Sequence, residues 1–303
     1  MSYNVTLSGI MPALATPFDA NDKIDFKAFE ALLTHLRAAG VTGWVPNGST
    51  GEYFSQSDEE RLEVLRFVKD FANDDEILIA GTNAPATREV ILQSSRAKEI
   101  GYDNVLLAPP FYTRPAQEEL IRHYETVLAE VDVNLVLYSY PAKDGADIGF
   151  EIMDHFADNP RVIGIKESSG VLQRAVDIVS RYEGKLQLIS GSDDIALDFM
   201  FWGADSWICG PSNCMAKACC DLDRTYRSGD LGKAKEIMTL LYRAMHILEA
   251  SKFVQKVKYG CELQGLPVGQ CRAPLGPLTD AEKAEFREAM APILATWGST
   301  PAS

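Results

Sequence analysis

Short apolar runs rich in β-branched residues recur eight times along the chain, most of them followed by an amphipathic stretch, and this alternation restricts the fold more than any other feature. The runs that read as strands are 9–16, 43–47, 77–82, 104–109, 135–139, 162–166, 186–190 and 206–210. Between them, 26–39, 58–71, 87–100, 116–129, 150–157 and 172–182 carry apolar residues at helical spacing. Strands alternating with helices predict parallel βαβ units, and repetition over roughly two hundred residues predicts a closed α/β architecture, a (β/α)₈ TIM barrel. The competing open, doubly wound sheet would normally carry a glycine-rich phosphate turn, and the sequence has no G-x-G-x-x-G. After residue 210 the pattern turns helical, at 216–227, 231–250, 251–262 and 280–297, with a proline- and glycine-rich connection at 265–277. The expected organisation is a barrel domain, 1–215, and a helical extension, 216–303, that includes the last barrel helix. Ser57 with Glu60, and Thr279 with Glu282, have the spacing of capping boxes and mark two helix starts.

Charge and cysteine usage narrow the function. Twenty-nine basic against 43 acidic residues leave a net charge of -14, which argues against a general nucleic-acid surface or an anionic membrane as partner. No apolar stretch is long enough to span a bilayer and residues 1–5 do not open a signal peptide, so a cytoplasmic location is expected. The six cysteines, Cys209, Cys214, Cys219, Cys220, Cys261 and Cys271, include no C-x-x-C pair and read as reduced and structural. None of the four histidines is spaced with another as a metal pair, so no metal is predicted. The absence of G-x-S-x-G and of G-x-x-x-x-G-K-[ST] removes the simplest hydrolase and nucleotide-binding hypotheses.

Chemistry in such a barrel sits at the carboxyl ends of the strands. Val162-Ile163-Gly164-Ile165-Lys166 delivers one lysine to such an end. A lysine desolvated there loses proton affinity, and its neutral amine can attack a ketone to form a Schiff base. The plainer alternative is a lysine that leaves the strand end for solvent and pairs with Glu167. Gly48-Ser49-Thr50-Gly51-Glu52 sets backbone N–H groups and two hydroxyls where an anion could be held, or is simply a tight strand-to-helix turn. Tyr138 ends the strand next to that of Lys166, where it is either a proton relay or a core tyrosine.

Together with Pro110-Phe111-Tyr112-Thr113-Arg114-Pro115, Tyr138-Ser139-Tyr140-Pro141, Gly164 to Gly170 and Gly203-Ala204-Asp205, these stretches resemble the dihydrodipicolinate synthase / N-acetylneuraminate lyase family from about residue 7 to 297. The resemblance implies that Lys166 forms an imine with pyruvate or another 2-oxo acid, without a cofactor. It implies that Ser49 and Thr50, beside Gly48, hold the keto-acid carboxylate and pass protons to Tyr138. Tyr112 matches an aromatic that in many members enters a neighbouring subunit's site, and homotetramers built as dimers of dimers are common there.

One departure bears on the reaction. The synthase branch usually reads Y-N-x-P-x-R-T after strand five, whereas this chain has Tyr138-Ser139-Tyr140-Pro141-Ala142-Lys143-Asp144. A lysine at the arginine position is a point charge without the bidentate fork. The expectation is therefore a Schiff-base lyase acting on a 2-oxo acid or cyclic imine acid by aldol cleavage, dehydration or deamination. Single hydrogen bonds from Ser139, Lys143 or Ser212, with Cys209 nearby, would hold its outer part. The alternatives are 4-hydroxy-tetrahydrodipicolinate synthase itself and a non-catalytic ligand-binding barrel.

Overall fold

In the computed structural model, which describes residues 3–298, eight parallel strands curl into a barrel wrapped by helices. In chain order the barrel elements are β1 (Gly9–Pro12), α1 (Phe26–Ala39), β2 (Gly43–Trp44), α2 (Asp58–Phe71), β3 (Ile77–Gly81), α3 (Thr87–Ile100), β4 (Asn104–Leu107), α4 (Gln117–Glu130), β5 (Asn134–Ser139), α5 (Pro141–Asp144), α6 (Phe150–Phe156), β6 (Val162–Glu167), α7 (Leu172–Tyr182), β7 (Gln187–Ser190), α8 (Ala196–Phe201), β8 (Ser206–Cys209) and α9 (Ser212–Arg227). Then follow α10 (Leu231–Ala250), α11 (Phe253–Leu263) and α12 (Asp280–Trp297). The strand order β1-β8-β7-β6-β5-β4-β3-β2 closes through a bridge between Ala13 and Val45.

Sequence and structure part in a few places. The first two strands pair over shorter spans than their apolar runs, because the residues after Pro12 and Trp44 leave the ladder for loops at the barrel mouth. Two helices of four and six residues, α5 and α8, go unforeseen, being too short to show a helical period. Helix α9 begins at Ser212, four residues before the expected start, but kinks at Met215, where φ is −147°. Both capping boxes form, Ser57 with Glu60 and Thr279 with Glu282.

Strand alternation sorts the side chains into an inner core and an outer one. Met11, Val45, Ile79, Leu106, Val136, Ile163, Ile189 and Ile208 fill the barrel. Leu135, Leu137, Val162 and Ile165 face the helices instead. On β6 both Ile163 and Lys166 point inward, which strict alternation forbids, and the register explains it. Leu135 pairs with Val162 but Val136 pairs with Gly164, so one extra residue bulges out of β6 and reverses the parity beyond it. Gly164 belongs to this arrangement, since a Cβ there would stand 2.6 Å from the carbonyl oxygen of Gln187.

The helical extension is tied to the barrel mouth by a buried ion pair. Glu52, at the end of the Ser49–Gly51 turn, adopts a left-handed φ of 59° and reaches Lys258 of α11 at 2.6 Å, with both side chains essentially inaccessible. The backbone N–H of Arg272 donates to the second carboxylate oxygen at 2.9 Å. Lys258 Nζ also donates to the carbonyl of Gln270. Removing one partner of such a pair strands a charge, so Lys258→Met should lower unfolding free energy by about 3–5 kcal/mol, and adding Glu52→Leu should restore most of it. Urea melts of the two variants check this.

Candidate active site

The barrel's carboxyl end collects the groups that matter. Tyr138 and Lys166 are register partners on β5 and β6, both directed inward, and the lysine Nζ lies 4.4 Å from the centre of the tyrosine ring. Glu167, next in sequence, faces the opposite way and binds Arg174 at 3.0 Å, so the lysine does not pair with its neighbour. Gly191 makes room for it, because a Cβ there would come within 2.8 Å of Lys166 Cγ. Lys166 is 6% exposed, and burial drops its pKa from 10.5 to about 8; Asp193 opposes the fall and Lys143 adds to it. A useful fraction of neutral amine therefore exists near neutral pH.

Around this pair, Ser49, Thr50, Tyr140, Lys143, Gly191, Asp193, Gly210, Glu249 and Phe253 wall a narrow cavity. A second lobe opens between Ser49, Tyr53, Asn83, Ala108, Tyr138 and Asp144. Ser49 and Tyr138 line both lobes together. Burial raises the Tyr138 phenol well above its ordinary value, keeping it protonated, and the Ser49 contact acts weakly the other way. Tyr140 donates to Glu249 at 3.1 Å. Burial, reinforced by Glu249, lifts the Asp193 carboxyl well above the usual range, while Trp207 Nε1 donates to it at 2.8 Å. Lys143 spreads over the rings of Tyr140 and Phe253 at 4.4 and 5.1 Å. Crowding by the surrounding protein lowers its pKa.

Of the residues singled out from the sequence, Ser49, Thr50, Tyr138, Lys143 and Lys166 share this cavity, and Gly48 precedes the turn that carries the hydroxyls. Four do not, and for Ser139, Cys209 and Ser212 this corrects the expectation of a contact with the outer part of the substrate. Ser139 follows Tyr138 and so points outward, donating to Asp147 at 3.0 Å. Cys209, on the outer face of β8, packs among the helices, its sulfur 3.8 Å from that of Cys219. Ser212 turns its hydroxyl back to the carbonyl of Cys209 at 2.7 Å. Period-two alternation, applied to the strand ends, would have excluded Ser139 and Cys209. Tyr112 stands on the surface, 93% exposed with φ of 76°, away from the cavity. The residues missed are Tyr53, Glu249 and Phe253; Tyr140 and Asp144, which also line the cavity, lie in the stretch singled out after strand five. Glu249 carries the one signal, an acidic residue four positions after buried Met245 on the same helix face.

A larger, more open hollow lies outside the barrel between α8 and α10, walled by residues such as Leu197, Phe201 and Met238. It holds none of the inward-pointing strand-end groups. Among the described residues no helix is long and apolar enough to cross a membrane.

Fold and site define a barrel enzyme of the class I lyases, whose working group is a lysine amine. The Dihydrodipicolinate synthetase family matches residues 6–292, and the chain belongs to it. It is 31% identical over 282 residues to the 4-hydroxy-tetrahydrodipicolinate synthase of Acidiphilium cryptum, covering 93% of this chain and 97% of that protein. The Geobacter metallireducens enzyme of the same name is 32% identical over 284 residues, with 93% and 97% covered. Among solved structures, the synthase of Methylacidiphilum fumariolicum SolV superposes with a TM-score of 0.91 at 31% identity, covering 96% and 98% of the two chains. The chloride-inhibited dihydrodipicolinate synthase of Acinetobacter baumannii, complexed with pyruvate, gives 0.91 at 30%, covering 95% and 99%.

A lysine half-neutral near pH 8 has a measurable signature. Pyruvate-dependent inactivation by borohydride should rise about tenfold per pH unit below 8 and level off above it. A rise continuing to pH 10 would contradict the desolvated lysine.

Proposed function

We propose that this chain is a lyase of 2-oxo acids in which Lys166 forms the imine, Ser49 and Thr50 hold the keto-acid carboxylate, and Tyr138 moves the proton. The observation that carries this is the buried Lys166 ammonium, held against the Tyr138 ring with no ion-paired carboxylate among the described residues. Its neutral amine adds to the C2 carbonyl and water leaves, giving an imine. Protonated, the imine draws electron density from C3, so a C3–H bond or the C3–C4 bond can break with its electron pair delocalised into the enamine. Tyr138, kept uncharged by burial and facing the same cavity as Ser49, Thr50 and Lys166, is placed to carry protons between that carbon and the Ser49-Thr50 turn. Pyruvate as the acid portion is supported by the Acinetobacter baumannii structure, described as complexed with pyruvate. No metal or nucleotide is needed for these steps. Assembly as a homo-oligomer, with Tyr112 reaching a second copy, is supported by the near-complete exposure of that ring.

Reduction with borohydride in the presence of pyruvate should add the pyruvate-derived mass to the Lys166 peptide. Labelling confined to Lys143 or Lys256 would overturn the assignment, and no labelling at all would favour a non-catalytic binding barrel.

The second substrate follows from the outer cavity. Where the synthase branch has an arginine, Lys143 lies over two rings and offers single contacts, with the Asp144 and Glu249 carboxyls close by. This supports aldol cleavage or dehydration of a 2-oxo-3-deoxy acid, or deamination of a cyclic imine acid such as 1-pyrroline-4-hydroxy-2-carboxylate. The names of the relatives favour a second reading, condensation of pyruvate with aspartate semialdehyde. Comparison of kcat/KM on one preparation decides between them: turnover of the 2-oxo-3-deoxy acids or the cyclic imine with weak condensation is expected. Condensation near the ~10⁴ M⁻¹s⁻¹ floor of ordinary enzymes would establish the synthase reading instead.

A further inference from the structure

The second lobe of the cavity contains a carboxyl that the steps above leave without a task. Asp144 ends α5, and its Oδ2 is enclosed by protein yet makes no hydrogen bond. Leaving a buried polar atom unsatisfied costs about 1–3 kcal/mol, so a position that keeps one invites a partner that arrives with the ligand. The α5 helix is capped by Gly145 in a left-handed conformation with φ of 71°, and this turn fixes Asp144 against the lobe.

The walls show which partner would fit. Apart from Lys143 they are uncharged: the phenols of Tyr53, Tyr138 and Tyr140, the amide of Asn83, the Ser49 hydroxyl and the methyl group of Ala108. Lys143 directs its ammonium to the Tyr140 and Phe253 rings and forms no ion pair with Asp144. The titratable groups bearing on Asp144 are Lys143 on its own helix, Lys166 on β6, Tyr138 and Tyr140 on β5, Tyr53 after β2, and Tyr124 on α4. The Tyr124 hydroxyl is likewise buried without a partner. Burial lifts the Asp144 carboxyl to about 7, against the pull of Lys143 and Lys166. Near neutral pH it is therefore present in both forms. A carboxylate tail would meet like charge here, and a cationic tail would meet two lysines. A hydroxylated tail meets only groups that can exchange hydrogen bonds with it.

Resting on the imine reading above, we propose that this lobe is the subsite for the hydroxylated tail of the 2-oxo acid, and that Asp144 selects such substrates by accepting a hydrogen bond from a tail hydroxyl. Because the ionised carboxylate is the better acceptor, binding tightens as pH rises through the carboxyl's titration.

The test uses the intact enzyme, a 2-oxo-3-deoxy acid with hydroxyls beyond C3, and pyruvate, which has no tail. Asp144→Ala should raise KM for the hydroxylated acid about 10- to 100-fold with kcat changed much less. The half-saturating concentration for pyruvate trapping at Lys166 should stay within about threefold. In the unaltered enzyme the ratio of hydroxylated-acid KM to pyruvate half-saturation should fall between pH 6 and pH 8. Asp144→Asn, which keeps the side-chain shape, should flatten that profile, and it carries the test if the alanine variant fails to trap pyruvate. Unchanged KM in both variants overturns the subsite, as do parallel losses for the two ligands. An unaltered enzyme that traps pyruvate but turns over no hydroxylated acid also overturns it, leaving the imine reading in place. Absence of trapping in the unaltered enzyme defeats both.

Discussion

Everything at the mouth of this barrel depends on one cationic side chain being held where water does not reach it. Lys166 points inward because β6 carries an extra residue near Ile163, and without that bulge the alternation begun by Ile163 would turn the lysine toward the helices. Once inside, desolvation sets its proton affinity, and the distribution of nearby charge settles the remainder. Asp193 favours the ammonium and Lys143 disfavours it. Asp193 is itself held toward its neutral form by burial and by Glu249, so it stabilises the lysine's charge less than a free carboxylate would. The proton affinity of a basic group is thus lowered by geometry and burial, with backbone register as the first cause.

The helical extension is part of the same arrangement. Glu249 and Phe253, from α10 and the start of α11, complete the wall of a cavity whose floor belongs to the strands. The Glu52–Lys258 pair keeps them in place from the other side, bonding the turn that carries Ser49 and Thr50 to the same α11. Glu52 sits in a left-handed conformation that a side chain of its size rarely adopts, and its carboxylate is engaged by both Lys258 and the Arg272 backbone. The glutamate of Gly48-Ser49-Thr50-Gly51-Glu52 therefore acts through structure: it orients the two hydroxyls before it.

Much of this was legible in the sequence. All eight strands and most long helices lie where apolar periodicity put them, because closed parallel barrels bury their strands on both faces and leave strong signals. Lys166 and Tyr138 were legible because each ends a strand, and the structure places them side by side. The outer groups were less so. Ser139 and Cys209 lie on the wrong face of their strands, an error of parity rather than of location. Glu249 and Phe253 reach the cavity only through packing of helices far along the chain, and local pattern does not encode such contacts. The bulge in β6 left no local mark beyond Gly164, and a glycine has many other reasons to occupy a strand.

The division between strands and helices also bears on how such an enzyme diversifies. The lysine and the tyrosine belong to the ladder, where a change of register would dismantle the barrel along with their placement side by side. Asp144, Glu249 and Phe253 lie on helices beyond the strand ends, in segments that barrel closure does not require. Substitutions in those segments can reshape what the cavity admits while bond-making remains as it was. Selectivity is then free to drift under selection at a pace of its own, and sequence similarity concentrated in the strands will report common chemistry more faithfully than common substrate.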